Sequence, residues 1–385
     1  SSFVTYLYSL KPTGKGSPIV TGNNNALSVL LHSGSTTGEP KTICLSNNNF
    51  SFIADRCEGF IGTEIKNLKA KGMLSVLPSF HGFGVGMAMH SPLVIGLGSV
   101  LIPKFSPKAV SKAMNKTGVG LICGVPTMYE KLFAYKPFVE SKEIKHFIGA
   151  FSGGDYMKPS LRNLMNEVFE KSGSICRVLE GYGLTEVIAV NSVNTINNLK
   201  NESIGKPIAE AQIRIEDEEG NEVKRNEVGE IVIKSPSVML GYFKDEEATN
   251  QTLKDGWLHT GDLGYMDEDG FIFFKSRRKR VVKVSGVAVF PSEVEALVSS
   301  IPEVIGVAAI EIPNAKLQSS IKIFVVAKYF DEEGMKSKIL ETCRKYLIRW
   351  AVPTEIEFRK DLPVTKLGKV DYKTLQSEEN AKRGL

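Results

Sequence analysis

The stretch ALSVLLHSGSTTGEPKTICLS (26–46) is where the reading of this chain begins. Its apolar first part, 26–31, reads as a strand that runs into the loop Ser33-Gly34-Ser35-Thr36-Thr37-Gly38-Glu39-Pro40-Lys41. Small residues let backbone amides approach an anion, the hydroxyls add donors, and Lys41 adds a positive charge, a combination that suits a polyphosphate. It is not a Walker loop, which needs Gly-Lys directly before Ser or Thr at a helix start; here Glu39 and Pro40 part Gly38 from Lys41. A flexible surface turn has the same composition, so the loop alone leaves both readings open.

From ALSVLLHS onward, short β-rich runs alternate with longer helical patterns: GMLSVLP, GSVLIP, LICGVP, KHFIGAFSGGD and ICRVLEGYG follow it. Such alternation predicts a parallel α/β sheet with ligand-binding loops at its strand ends. From about residue 203 the texture changes to strands with turn dipeptides (AQIRIEDEEGNEV, GEIVIKS, GFIFFKS), a β-rich subdomain of hairpins. Beyond 283, helices and strands mix in a small α+β domain with its own core. The predicted division is a large domain over 1–278, with the β-rich part at 203–278, and a C-terminal domain over 279–385. The uncharged stretch 82–103 has the length of a membrane span, but His90, Ser91, Pro92 and several glycines interrupt it, so a buried helix running into a buried strand is expected.

A chain of 385 residues exceeds what one core organises, and 42% hydrophobic with 24% charged residues fits an ordinary globular protein. The net charge of +5, from 48 basic and 43 acidic residues, gives no general affinity for nucleic acid or anionic membranes. Five scattered cysteines without a Cys-x-x-Cys pair indicate free thiols in a reducing compartment and no zinc site. The first residues show no basic segment followed by an apolar one, so a cytoplasmic location is expected.

Six further blocks follow the loop in order: LPSFHGFG (77–84), GYGLTE (181–186), GEIVIKSPSVMLGYFKDEEAT (229–249), WLHTGDLG (257–264), SRRKRVVKVSG (276–286) and PVTKLGKVD (363–371). Together with the loop they resemble the signatures of the adenylate-forming (AMP-binding) superfamily, most nearly its acyl-CoA synthetases. The resemblance implies an ANL-type α/β fold with a mobile C-terminal domain, and ATP, Mg²⁺ and coenzyme A as the small molecules used. It implies a nucleotide site made of Ser33, Gly34, Ser35, Thr36, Thr37, Gly38, Lys41, Gly154, Gly181, Tyr182, Gly183, Thr185, Asp262 and Arg277. The residue chemistry agrees. Gly181 and Gly183 permit a tight turn, Tyr182 offers a ring for adenine, Thr185 a donor for the α-phosphate, and Glu186 a hard oxygen for Mg²⁺. A structural turn capped by Thr and Glu is the competing reading.

Asp262 resembles the family carboxylate that holds the ribose hydroxyls, and Arg277 the arginine beside it. Lys369 matches the family lysine of the C-terminal motif, where a desolvated cation would meet the charge gathering on phosphorus as a carboxylate attacks it. Lys279 matches the interdomain hinge. In the family the small domain turns there between two half-reactions, one presenting Lys369 and the other Lys283, Ser285 and Gly286, with Gly286 lining the approach of a pantetheine thiol. Basic residues around the hinge, Arg278 and Arg280 among them, offer charge that suits the phosphates of coenzyme A. His81 stands where amino-acid-activating members carry Asp, which points to a fatty or aryl acid without an α-amine. The function implied is ATP-dependent formation of an acyl adenylate and then of a CoA thioester. Loading of an acyl carrier protein and an incomplete, non-catalytic nucleotide-binding homologue stay as alternatives. Only 32 residues precede the phosphate loop, so part of the first N-terminal subdomain is expected to be missing relative to the family.

Overall fold

A computed structural model of the chain describes residues 23–32, 41–61, 72–328, 331–365 and 369–385. Its centre is a seven-stranded sheet in the order Gly98–Leu101, Gly72–Ser75, Leu121–Gly124, Gly149–Ser152, Val178–Tyr182, Ser192–Val193 and Lys206–Pro207. The first five strands are parallel. The last two are antiparallel additions. Successive residues face opposite sides of a strand, and here both sides are covered. Leu74, Ile122, Ala150 and Val178 enter one core with Val110, Met114, Leu132 and Met165 of the crossover helices. Met73, Leu121, Phe151 and Leu179 enter the other with Phe52, Ile53 and Met87. This double burial explains why these strands read as unbroken apolar runs.

Two expectations are corrected. The strand Leu27–His32 belongs to no parallel unit: it pairs antiparallel with Thr42–Ser46, which in turn pairs with Gly241–Tyr242. The connection at 33–41 is too short for the crossover that parallel strands require. The strand in SVLIP, Gly98–Leu101, is a sheet edge and only partly buried, with Leu101 exposed. Upstream, 82–103 is helical over Phe83–His90 and Ser91–Val94. Among the described residues no helix is long and apolar enough to cross a membrane.

The β-rich part is an antiparallel sheet of Gln212–Glu216, Gly229–Lys234, Trp257–Met266 and Leu253–Lys254, with Ile272–Arg277 paired further along the long strand. Beyond it, Val304–Asn314, Gln318–Ala327 and Glu355–Phe358 form a separate sheet. Its two faces are closed by the helices Pro291–Ser299 and Glu332–Tyr346 on one side and Tyr372–Arg383 on the other. The buried clusters before Ile272 and after Val282 share no residue. On that ground we propose the domain boundary at 278–279.

Candidate active site

In a parallel sheet the loops at the carboxyl ends of the strands converge on one edge. Here that edge carries His81 after the 72–75 strand, Gly153 and Gly154 after Gly149–Ser152, and Gly183 to Glu186 after Val178–Tyr182. The segment after Glu186 is tightly held. Ala189 N–H donates to Val187 O at 2.8 Å, and Ile188 between them has φ 68° and ψ −60°, a γ-turn that a β-branched residue rarely adopts. Glycines surround this turn because nothing larger fits: a Cβ on Gly183 would lie 1.5 Å from Ala189 O, and one on Gly82 1.7 Å from Ile188 O.

Tyr182 donates its hydroxyl to Asp262 Oδ2 at 2.7 Å. Asp262 is buried on the Trp257–Met266 strand, directly opposite Arg277 on the neighbouring strand, with Arg277 Nε 3.5 Å from Oδ1. Burial pushes the Asp262 carboxyl up, while Arg277 and the Tyr182 hydroxyl pull it down. Thr185 is buried, and Glu186 accepts from the Tyr242 hydroxyl at 3.0 Å. Lys41 sits over the Tyr242 ring, 4.5 Å from its centroid, so the last residue of the loop lies one side chain away from Glu186. The loop residues Ser33, Gly34, Ser35, Thr36, Thr37 and Gly38 lie outside the described residues. Among the described residues no cluster of three or more His, Cys, Asp or Glu is arranged to hold a metal, which leaves Glu186 as a single carboxylate, sufficient for an ion completed by phosphate oxygens and water.

Lys369 comes to this edge from the far end of the chain. It closes a small hairpin in which Thr365 N–H donates to Lys369 O at 2.7 Å and Asp371 N–H to Pro363 O at 2.8 Å. Its ammonium lies 3.7 Å from where a Cβ on Gly154 would stand, and Gly154 has φ +80°. Burial lowers the Lys369 pKa, with Asp155 and Asp262 opposing that effect and Arg277 adding to it. His81 feels the same cation. Burial first, and Lys369 second, bring its pKa down to about 4. Its Nδ1 accepts from Phe83 N–H at 3.3 Å, which places the proton of the neutral ring on Nε2.

The His81 shift has a sign that can be checked. Below about pH 6.5 the unfolded chain takes up a proton that native His81 refuses until about pH 4, so stability declines as the pH falls through that window. Between about pH 7 and about pH 5 the parent is expected to lose about 2 kcal/mol more than His81→Asn in urea unfolding. Equal losses would show that His81 is not responsible.

The residues matched to the thiol half-reaction are elsewhere. Val282–Val284 and Val287–Val289 form a hairpin whose two turn residues, Ser285 (φ 50°) and Gly286 (φ 81°), both need left-handed backbone, as a tight two-residue turn demands. Lys283, Ser285 and Gly286 are exposed on this hairpin, and Lys279 is exposed in the turn Arg278–Arg280. Arg278 and Arg280, considered above for the phosphates of coenzyme A, already have acidic partners. Arg278 pairs with buried Glu230 at 3.2 Å and Arg280 with Glu295 at 2.7 Å. Sequence reasoning missed Asp155, Ile188 and Tyr242 as parts of the site. Asp155 follows the Gly153-Gly154 turn directly and was open to notice; the other two depend on packing.

A profile of the AMP-binding enzyme family matches residues 7–243, and one of the AMP-binding enzyme C-terminal domain matches 293–369. The chain belongs to the AMP-binding enzyme family. It is 32% identical over 358 residues to a long-chain-fatty-acid–CoA ligase of Bacillus subtilis, covering 92% of this chain and 62% of that protein. Among solved structures, ATP-bound MatB from Rhodopseudomonas palustris superposes with a TM-score of 0.82 at 25% identity, covering 93% of this chain and 69% of that one. The o-succinylbenzoate CoA synthetase of Bacillus subtilis, with its acyl-adenylate intermediate, gives 0.80 at 26% identity over 92% of this chain and 70% of that one. The fold is thus the adenylate-forming one, and the chain spans less than two thirds of the length of the fatty-acid ligase it matches.

Proposed function

We propose that the protein activates a carboxylic acid lacking an α-amine, fatty or aryl, as its acyl adenylate and passes the acyl group to coenzyme A. The observation that carries this reading is the placement of the Lys369 ammonium, from the C-terminal loop, against Gly154 of the large part, where its charge acts on Asp262 and His81. In the first half-reaction a carboxylate oxygen of the acid bonds to the α-phosphorus of ATP as the bond to pyrophosphate breaks. Lys369 and Thr185 would meet the negative charge on the α-phosphate, Asp262 the ribose hydroxyls, and the loop ending at Lys41 the leaving phosphates. Glu186 would hold Mg²⁺, which neutralises phosphate charge. In the second, the thiolate of coenzyme A attacks the acyl carbonyl and AMP leaves, with Lys283, Ser285 and Gly286 turned toward the site about Lys279. His81 held neutral near the reacting acid suits a substrate without an ammonium group, and the naming of the relatives as fatty-acid and o-succinylbenzoate CoA ligases supports the same class. ATP–pyrophosphate exchange across a panel of fatty, aryl and amino acids tests the reading. Exchange with at least one fatty or aryl acid and none with amino acids is expected; absence with every acid would refute it.

A further inference from the structure

Arg280, Glu295 and Tyr372 form a small, partly buried cluster that the chemistry above does not use. Arg280 Nη2 donates to Glu295 Oε1 at 2.7 Å and to Ala309 O at 3.3 Å. Its guanidinium carbon lies 3.7 Å above the Tyr372 ring. Glu295 also accepts from Ala309 N–H at 2.8 Å, and burial first and the Glu295 charge second push the pKa of the Tyr372 hydroxyl up. Asp155 of the large part adds its charge from outside the cluster.

An ion pair that is largely shielded from water, as this one is with 24% and 14% of its side chains exposed, is a poor device for stability alone, because desolvating two charges offsets much of their attraction. Its best-attested use is to fix a register. The three residues come from three places that matter to each other. Arg280 is the last residue of the turn Arg278–Arg280, next to Lys279. Glu295 lies within the helix Pro291–Ser299. Tyr372 opens the helix Tyr372–Arg383, three residues after Lys369, where Asp371 caps the helix by accepting from Thr374 N–H at 3.1 Å. A hairpin loop on which a catalytic cation rides needs a fixed base, since a misplacement of about 1 Å costs about 100-fold in rate.

We propose that Arg280, Glu295 and Tyr372 clamp the base of the Lys369 loop to the hinge turn, making Arg280 a positioning residue for adenylate formation. The clamp rests on the proposed function in one respect, the part taken by Lys369 in the first half-reaction. As the small domain turns about Lys279 the clamp moves with it whole, so the distance from hinge to ammonium stays constant and a rotation at one end delivers Lys369 to Gly154 at the other.

Lysine cannot replace the planar, stacking guanidinium, so Arg280→Lys separates charge from geometry. In the full chain, Arg280→Lys is expected to lower kcat for ATP–pyrophosphate exchange by about tenfold or more, with KM for ATP unchanged within about twofold, and to leave thioester formation from a supplied acyl adenylate unaffected. Tyr372→Phe keeps the ring under the guanidinium and should stay within about threefold of the parent, whereas Tyr372→Ala should match Arg280→Lys. A parent-like Arg280→Lys, or equal losses in both half-reactions, would overturn the clamp. Should the parent itself exchange with no acid, the functional reading fails, and the clamp is then judged by hydrogen exchange. The Thr365 and Asp371 amides should lose protection in Arg280→Lys; unchanged protection would dismiss the clamp on its own account.

Discussion

Lys369→Ala is expected to lower ATP–pyrophosphate exchange by about 100- to 1,000-fold, while thioester formation from a supplied acyl adenylate stays within about threefold of the parent. The size follows from what the ammonium does. Two anions, a carboxylate and a phosphate, must approach, and the charge on the α-phosphate oxygens must be met in a place sheltered from water. In the proposed reaction the half-buried Lys369 beside Gly154 would supply that charge, and burial lowers its pKa while Asp155 and Asp262 help to keep it protonated. The proposed turn about Lys279 predicts selectivity for the first half-reaction: with the small domain turned to present Lys283, Lys369 would be withdrawn from the reacting atoms. Comparable losses in both half-reactions would contradict the two-orientation scheme even if the enzyme is active.

Gly183→Ala is expected to destabilise the fold by about 3 kcal/mol or more, while Gly286→Ala costs about 1 kcal/mol. Both are turn glycines in motif blocks, yet their surroundings differ. A Cβ at 183 would meet backbone, Ala189 O at 1.5 Å and Ala189 C at 2.5 Å, and backbone held in a γ-turn cannot step aside. A Cβ at 286 meets nothing within 4 Å, so only its positive φ resists the change. Thermal or urea unfolding of the two variants reads the difference directly. A Gly183→Ala protein with the parent's midpoint would mean that the 183–189 turn is not built as described.

Much of this could be read from residues alone. The parallel sheet was legible because strands buried on both faces become continuous apolar runs, as at Met73-Leu74, Leu121-Ile122 and Val178-Leu179, and the motif order pointed to the family now matched by both of its profiles. The hairpin sheet was legible from turn dipeptides in the same way. Local sequence could not reveal how Leu27–His32 pairs, because the same apolar alternation serves a parallel or an antiparallel neighbour and only the partner decides. Nor could it separate an exposed arginine from a committed one: in SRRKR every basic residue looks alike, and tertiary contacts assign Arg278 to Glu230 and Arg280 to Glu295 and Tyr372. Composition alone leaves the opening loop between a phosphate binder and a surface turn, and the neighbours of its last residue, Lys41, are a matter of three dimensions. Sequence by itself determined the strands, the glycine turns and the set of side chains with the right chemistry. Only the tertiary structure decided which of them meet, because Lys41 and Tyr242, Asp262 and Tyr182, and Lys369 and Gly154 lie 201, 80 and 215 residues apart in the chain and are joined only by packing and charge.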